Sequence, residues 1–382
     1  MIPTPGWIEV DLDAVEHNLR VVTETLPPRV DVAAVLKADA YGHGIDNVLP
    51  LVIDRGIGTI GVTGNDEARA ARFHGFAGRI IRIRPALAEE VDDAIALGVE
   101  EWVAGAGHAS EVARVARDRG TRIPVHVSIN STGLSRDGIE LLHPRGREDL
   151  RRVLDERSLR VVGVCSHFPC EDADDVALGA SAFQVQSDLV LRSLGATARR
   201  GVRRHCATSF AALTVPDSHF DLVRIGAALY GDTAAPHPRF RPAFTLKSRV
   251  AAVNGYRADS TVGYDRAHRL GRDSVLATIP IGYADGVQRS LGGRASVLIR
   301  GRRLPIVDRH AMNTLTVDAT ELGDVRPGEE VVLYGAQGSE RISSADLEQA
   351  NGHIAADLYS VWGRLHPRIP VRATAASRSD AM

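Results

Sequence analysis

The strongest constraint on the fold of this chain is an alternation that runs through about its first 235 residues. Short runs of apolar and β-branched residues alternate there with amphipathic stretches rich in alanine, arginine and glutamate. Eight runs stand out, at residues 32–37, 59–63, 79–83, 101–105, 123–129, 160–167, 203–207 and 221–226. Eight strand–helix repeats of this kind predict an α/β fold, a (β/α)8 barrel whose parallel strands are buried on both faces. A doubly wound open sheet is the less favoured alternative, because no GxGxxG turn follows the first run.

The pattern changes after the segment at residues 231–242, which is rich in proline and turn residues. Short strand-like segments broken by Gly, Asp and Pro follow, with one more helical segment at 344–352. We therefore predict a second, mostly β C-terminal domain. The predicted boundaries are an N-terminal strand at 1–12 that packs on the second domain, a barrel at 13–235, the β-rich domain at 236–373 and a disordered tail at 374–382.

The composition narrows the classes of partner. A formal net charge of −2 provides no basic field for nucleic acid, so a small-molecule ligand is favoured. No stretch reaches the ~18 consecutive apolar residues of a membrane span, and no secretory signal is recognisable, so we predict a cytoplasmic protein without a membrane partner. Three cysteines without a CxxC pair indicate neither a disulfide framework nor structural zinc. The acidic residues after His167 are interpreted as a solvated loop, so no metal site is predicted.

One lysine lies at a position that favours chemistry. Lys37 ends the first predicted strand, after five apolar residues and before the polar loop ADAYGHG. The C-terminal ends of barrel strands face the active-site mouth. Desolvation at that place disfavours the ammonium form and makes the amine nucleophilic toward an aldehyde. Position alone also permits a surface lysine with a buried stem, which is the commoner case.

Five motifs around and beyond Lys37 point to a known family. They are AVLKADAYGHG (34–44), VRIGAALYGD (223–232), TVGYDRAH (261–268), GYADG (282–286) and AMNTLTVD (311–318). In this order they closely resemble alanine racemases, which are fold type III enzymes dependent on pyridoxal 5′-phosphate (PLP). The resemblance implies an amino-acid substrate, covalent attachment of PLP at Lys37 and a homodimer with shared active sites. It also implies that Lys37 and Tyr264 of the partner subunit exchange protons on opposite faces of the substrate Cα, which is the simplest way to invert a stereocentre.

The same resemblance assigns the residues that surround the cofactor. Arg224 matches the arginine that faces the pyridine nitrogen of PLP, where a permanent guanidinium charge leaves the ring a weaker electron sink. His167 and Arg224 are suited to supply positive charge that Tyr264 needs as a base near neutrality. Contacts to the cofactor phosphate are implied for Tyr41, Ser209, Gly226, Ala227 and, on a poorer match, Tyr359. Contacts to the substrate are implied for Arg136, Met312, Asn313 and Tyr283.

The chain departs from the alanine racemase pattern near Arg136. The lysine that usually precedes this arginine is missing, and Ile129, Asn130 and Ser131 stand in its place. Asn313 replaces the usual aspartate after the methionine. These features, with HFPCEDADD and LYSVWG, resemble the broad-specificity amino-acid racemases. The loss of two negative charges predicts a substrate range wider than alanine, and we expect Asn130, with a bound anion such as chloride, to orient Arg136.

Two other functions stay open from the sequence. The altered surroundings of the carboxylate site are compatible with a PLP-dependent decarboxylase or lyase on the same frame. A non-catalytic PLP carrier also uses a barrel lysine, but such proteins lack the second domain that carries Tyr264.

Overall fold

The computed structural model of the protein describes residues 4–232 and 239–372. Contacts between Cα atoms divide the chain into two units. The barrel unit comprises Val15–Ala40 and Val48–Arg241, and the β-rich unit comprises the chain up to Ala14, the segment Tyr41–Asn47 and the chain from Pro242 onward. The first strand, β1 (Gly6–Asp11), belongs to the β-rich unit. The boundary predicted between 235 and 236 and the tail predicted at 374–382 lie outside the described residues.

The barrel unit is a sheet of eight parallel strands. They are β2 (Asp31–Val35), β3 (Thr59–Val62), β4 (Arg79–Arg82), β5 (Val99–Val103), β6 (Ile123–Ser128), β7 (Leu159–Cys165), β8 (Arg203–His205) and β9 (Leu222–Ile225). Their order is β8-β7-β6-β5-β4-β3-β2-β9. The ends of this order meet, because the backbone N–H of Arg224 donates to the carbonyl of Ala207 at 3.0 Å and that of Asp221 to the carbonyl of Arg204 at 3.1 Å. The eight predicted strands and the barrel are confirmed.

Burial explains why these strands could be recognised. Every residue of β3, β5 and β9 is buried, so neither face of these strands is turned to solvent. Helices between the strands and at the ends of the barrel segment are Leu12–Thr25, Ile45–Asp54, Asn65–Phe73, Ala88–Ala94, Ala106–Asp118, Pro144–Asp155, Ala173–Ser193 and Ser209–Thr214. The acidic loop after His167 supplies the N-cap of one of them, because the Asp172 side chain accepts from the backbone N–H of Asp175 at 2.9 Å.

The β-rich unit contains the remaining strands. They are β10 (Phe244–Arg249), β11 (Ala252–Tyr256), β12 (Thr261–Val262), β13 (His268–Arg269), β14 (Ser274–Ile279), β15 (Ser296–Ile299), β16 (Arg302–Pro305), β17 (Leu315–Asp318), β18 (Glu330–Gln337), β19 (Glu340–Ile342) and β20 (Arg368–Val371). Its largest sheet has the order β16-β15-β18-β10-β1-β20, with β19 paired to β18. Strand β1 is antiparallel to β10 and parallel to β20, and Ile8 and Val10 enter the core of this unit.

The C-terminal segment corrects one expectation. Two helices are present, Ser344–Asn351 and Ala355–Leu365, where the sequence predicts only the first. The second begins after Ile354, which provides no side-chain cap, so the usual start signal is missing. It is held in the core by Tyr359 and Trp362, which are 2% exposed. Tertiary packing therefore decides this helix, against aromatic and β-branched residues that favour a strand.

Candidate active site

Lys37 is followed by a turn of unusual backbone conformation. Ala38, Asp39, Ala40 and Tyr41 all have φ between 52° and 55°, in the left-handed region. Non-glycine residues pay roughly 1–2 kcal/mol each for this conformation. The backbone N–H of Asp39 donates to the Glu67 carboxylate at 3.2 Å, and that of Ala40 donates to the carbonyl of Leu36 at 2.8 Å. The turn after Lys37 is therefore a strained segment held by its surroundings, which is common at functional sites.

The charge state of Lys37 is set by burial and by two arginines. Burial lowers the pKa of the Lys37 ammonium and the positive charges of Arg136 and Arg224 lower it further, whereas the Glu67 carboxylate acts in the opposite direction. The neutral, nucleophilic amine is therefore more populated than in an ordinary lysine. Lys247 offers a direct contrast, since these two are the only lysines of the chain. Burial by itself lowers the pKa of Lys247, but hydrogen bonds to Glu9 and Glu330 outweigh burial and raise that pKa, so Lys247 stays protonated.

Arg224 lies in the last barrel strand and is almost completely buried. One terminal nitrogen donates to Nδ1 of His205 at 2.7 Å and to the carbonyl of His205 at 3.0 Å. The other donates to the carbonyl of Ser166 at 2.7 Å and lies 3.3 Å from Nδ1 of His167. The guanidinium also lies over the ring of Trp102, 5.4 Å from its centroid. Within the described part of the chain, the Nε–H has no acceptor, so this donor is left for a ligand.

His167 is brought next to Arg224 but in a different charge state from the one expected. Burial and the nearby positive charges, with Arg224 first among them, lower the pKa of His167 to about 3. A guanidinium only donates, so Nδ1 of His167 accepts and the proton of the neutral ring is on Nε2. The positive charge predicted for His167 is therefore absent. Of His167 and Arg224, only Arg224 is positively charged.

Ser209 and the start of the turn after β9 form a small group of hydrogen-bond donors. The Ser209 hydroxyl oxygen accepts from the backbone N–H of Gly226 at 3.1 Å and from that of Ala228 at 3.3 Å. The second donor is thus Ala228 and not the predicted Ala227. Ala227 is the first residue of the short helix Ala227–Tyr230. With its oxygen occupied by two donors, the hydroxyl has its own proton to offer to an acceptor such as a phosphate oxygen.

Arg136 has an acidic partner that the sequence analysis did not single out. Its Nε donates to the carboxylate of Asp137 at 2.8 Å, and the Ser128 hydroxyl donates to the other oxygen of Asp137 at 3.2 Å. Asn130 makes different contacts: its amide nitrogen donates to Glu140 at 2.9 Å, and its oxygen accepts from the backbone N–H of Ser135 at 2.8 Å. The expectation that Asn130 orients Arg136 is therefore replaced by a direct contact with Asp137.

The β-rich unit brings together the other predicted residues of the substrate site. Tyr264 and Tyr283 are 59% and 40% exposed, and the guanidinium of Arg289 lies 5.3 Å from the first ring centroid and 5.9 Å from the second. Arg289 was missed by the sequence analysis, although it lies just after the GYADG motif. The backbone N–H of Ala284 donates to the carbonyl of Met312 at 2.9 Å, which joins the two loops. Asn313 donates to the carboxylate of Asp285 at 3.2 Å.

Tyr41 and Tyr359 form a separate pair on the β-rich unit, with ring centroids 6.4 Å apart. Two glycines permit this arrangement. A Cβ on Gly42, whose φ is +78°, would lie 2.2 Å from the carbonyl oxygen of Tyr359, and a Cβ on Gly363 would lie 2.3 Å from Cα of Gly42. Any larger residue at either position would separate the YGHG loop from the helix Ala355–Leu365.

Comparisons with known proteins identify the family. Residues 10–234 match the family profile described as "Alanine racemase, N-terminal domain", and residues 243–370 match "Alanine racemase, C-terminal domain". The chain belongs to the alanine racemase family. The family resemblance and the amino-acid racemase class predicted from the sequence are both confirmed.

Relatives in the alanine racemase family differ in what their names say of substrates. A "Broad specificity amino-acid racemase" of Aeromonas hydrophila is 44% identical over 95% of this chain and 89% of the relative. A "Lysine racemase" of Proteus mirabilis is 39% identical over 96% of this chain and 89% of the relative. Both relatives are therefore similar to this chain over nearly its whole length.

Solved structures of alanine racemases share the fold. The enzyme from Streptomyces lavendulae has a TM-score of 0.86 at 30% identity and covers 98% of this chain and 99% of its own. The enzyme from Bartonella henselae, solved with covalently bound pyridoxal phosphate, has a TM-score of 0.83 at 24% identity, over 97% of this chain and 100% of its own. In the part of the chain that the structure describes, no helix is both long and apolar enough to cross a membrane.

Proposed function

We propose that this protein is a PLP-dependent racemase that interconverts the L and D forms of several amino acids. The observation that carries the proposal is the environment of Lys37, where burial and two arginines favour the neutral amine at the mouth of a barrel. PLP, when bound, withdraws electrons from the substrate Cα and so makes its proton acidic. The donors around Lys37 fit such a ligand: Nε–H of Arg224 for the pyridine nitrogen, and the Ser209 hydroxyl with the turn at Gly226 for the phosphate.

Two side chains exchange protons at Cα in this proposal. Lys37 acts on one face as the free amine, and Tyr264 acts on the other as a phenol of the partner subunit. Arg289 supports the placement of this phenol, because its guanidinium packs on the face of the Tyr264 ring. Arg136 is assigned to the substrate carboxylate together with the backbone of Met312, and Tyr283 to the substrate entrance.

The proposed breadth of substrate rests on two kinds of support. The relatives at 44% and 39% identity are named broad-specificity and lysine racemases. In this chain the two positions that usually place negative charge near the carboxylate are neutral, with Asn130 and Asn313 present. Asp137 contacts Arg136 and Asp285 contacts Asn313, so the negative charges beside these two residues come from other positions of the chain than in the usual pattern.

A screen of L-amino acids tests the proposal. Purified protein is incubated with PLP and each L-amino acid in deuterated water, and the products are separated by chiral chromatography. We expect D-amino acids with deuterium at Cα from several substrates and no release of carbon dioxide. Release of carbon dioxide with formation of the corresponding amine would support the decarboxylase or lyase instead. Reduction with borohydride followed by peptide mapping should place the cofactor on Lys37, and a label on Lys247 alone would contradict the proposal.

Subunit complementation tests the shared active site. Lys37→Ala and Tyr264→Phe chains are inactive as separate homodimers in our proposal, but a mixed dimer has one intact site and one that carries both changes. Random mixing should therefore restore about a quarter of the activity of the unaltered protein. Failure of the mixture to regain activity, while the separate variants stay folded and dimeric, would place both residues in the same subunit's site.

A further inference from the structure

A column of charged and polar side chains runs through the interior of the barrel. Arg79 at the start of β4 donates through Nε and a terminal nitrogen to Glu100 of β5, at 2.9 and 2.8 Å. Glu100 lies 2.9 Å from Nε2 of His126 in β6, whose Nδ1 lies 2.8 Å from Nε2 of His205 in β8. His205 reaches Arg224 in β9 at 2.7 Å. Barrel interiors are usually filled with branched apolar side chains, so this column is an exception that calls for a physical reason.

The protons of this column have one consistent arrangement. A guanidinium only donates, so Nδ1 of His205 accepts from Arg224 and a neutral His205 carries its proton on Nε2. That N–H donates to Nδ1 of His126, which places the proton of His126 on Nε2 as well. The His126 N–H then donates to the carboxylate of Glu100. The three hydrogen bonds between Arg224 and Glu100 therefore all run toward Glu100, and both imidazoles have the same tautomer.

The surroundings keep the two imidazoles neutral and in place. His126 and His205 have no exposed surface. Burial lowers the pKa of His126 despite its hydrogen bond to Glu100, and burial with the charge of Arg224 lowers the pKa of His205 well below its usual value. Glu100 is ionised, because hydrogen bonds from His126 and Arg79 outweigh burial and hold its pKa at about 2. Gly163 of β7 leaves room for the first ring, since a Cβ there would lie 2.0 Å from Nδ1 of His126.

We propose that Glu100, His126 and His205 form a positioning relay for Arg224, in which the carboxylate fixes the tautomers so that an acceptor always faces the guanidinium. This inference rests on the proposed function, since it gives Arg224 the pyridine nitrogen as its ligand. His205 contacts Arg224 directly, whereas Glu100 and His126 act from deeper in the barrel. The relay gives the buried guanidinium a fixed hydrogen-bond acceptor and keeps it oriented, so that the Nε–H stays directed at the cofactor.

Replacing the Glu100 carboxylate with an amide removes the single direction of the hydrogen bonds between Arg224 and Glu100. In Glu100→Gln the amide nitrogen must face either Arg79 or His126, and both are donors toward that position. When the amide nitrogen faces His126, the proton of each imidazole moves from Nε2 to Nδ1. The N–H of His205 then points at an N–H of Arg224, with the two nitrogens 2.7 Å apart. We expect the dissociation constant of PLP to rise on the order of tenfold and the visible absorption band of bound PLP to shift.

The next residue of the same strand offers a matched control. Glu101 is 2% exposed and accepts from Nε of Arg82, another β4 arginine, at 2.8 Å. Successive residues of a strand point to opposite faces, so Glu101→Gln breaks a comparable buried ion pair outside the relay. We expect it to lower thermal stability without changing the absorption band of PLP. Equal changes of the PLP band in both variants, or none in Glu100→Gln, would overturn the proposal.

A measurement on the unaltered chain keeps the test independent of variants that fold poorly. Nitrogen-15 NMR of histidine-labelled protein, with signals assigned through His126→Gln and His205→Gln, reports the tautomer of each ring. We expect both rings to be neutral with the proton on Nε2 throughout the titration range of a free imidazole. A proton on Nδ1 of either ring, or titration of either, would overturn the relay. Because this measurement needs no cofactor, it separates failure of the relay from failure of the proposed function, which shows as absence of PLP binding at Lys37.

Discussion

The two groups of site residues differ in how the protein holds them. On the barrel unit, Arg224 and Ser209 are both 5% exposed and are tied to backbone and side chains of neighbouring strands. On the β-rich unit, Tyr264 and Met312 are 59% and 54% exposed, and the contacts of Tyr264 include the face of its ring. The barrel group therefore has one geometry before any ligand arrives. The side chains of Tyr264 and Met312 are less enclosed by their own chain.

The largest effect should come from the barrel lysine. Of the two lysines, Lys37 is the one whose pKa is lowered, so we expect Lys37→Ala to reduce racemisation on the order of 10³-fold or more and to abolish the visible absorption of bound PLP. Lys247→Ala is the matched control, because it removes the other lysine and its ion pairs with Glu9 and Glu330. That control should lose stability and keep the PLP absorption. Loss of absorption in the control only would reverse the roles of the two lysines.

A smaller loss of turnover is expected when Tyr264, an exposed residue of the β-rich unit, is substituted. Tyr264→Phe keeps the ring over Arg289 and removes only the hydroxyl, so turnover should fall roughly 10²-fold while PLP remains bound. The loss should concern one proton transfer, which deuterium exchange from the L and D substrates measured separately can resolve. Tyr256→Phe changes another exposed tyrosine of the same unit and should leave both exchanges unaltered. Equal loss of exchange from both enantiomers would contradict the assignment of one face to Tyr264.

The contact between Asp137 and Arg136 should affect substrate binding more than turnover. In Asp137→Asn the guanidinium loses a charged acceptor at 2.8 Å, so we expect KM to rise about tenfold with a smaller change in kcat. Asp155→Asn, which removes an exposed partner of Arg151 on a barrel helix, is the control and should change neither constant. A fall in kcat at constant KM would place Asp137 in the chemical step instead.

The smallest effect concerns pH. The charge of Glu67 raises the pKa of Lys37, so Glu67→Gln should lower that pKa further. Because protonation removes the nucleophile, the pH at which PLP absorption is lost on acidification should move to a lower value than in the unaltered protein. Glu89→Gln, an exposed change on another barrel helix, should not move it. A shift to higher pH would show that the hydrogen bond from Asp39 to Glu67 matters more than its charge.

The barrel and Lys37 were accessible to sequence reasoning for a physical reason. Strands buried on both faces are mostly apolar along their length, and a lysine at the end of such a run has few other interpretations once its motif is recognised. The helix Ala355–Leu365 was not accessible, because the packing of Tyr359 and Trp362 overrides its local preference. The histidines of the barrel interior gave a weak signal, as polar residues inside the runs IPVHVSI and RRHCA, but their partners lie far along the chain.

The amino-acid sequence by itself determined the fold class and the family and singled out Lys37 as the candidate reactive lysine, since hydrophobic periodicity and short motifs are properties of neighbouring residues. Only the tertiary structure decided that the Asp137 carboxylate accepts from Arg136, that His167 is neutral and that Glu100 connects to Arg224 through two imidazoles. Burial and hydrogen-bond partners set the charge states of His167 and Glu100, and both arise from strands and loops that meet only when the barrel closes.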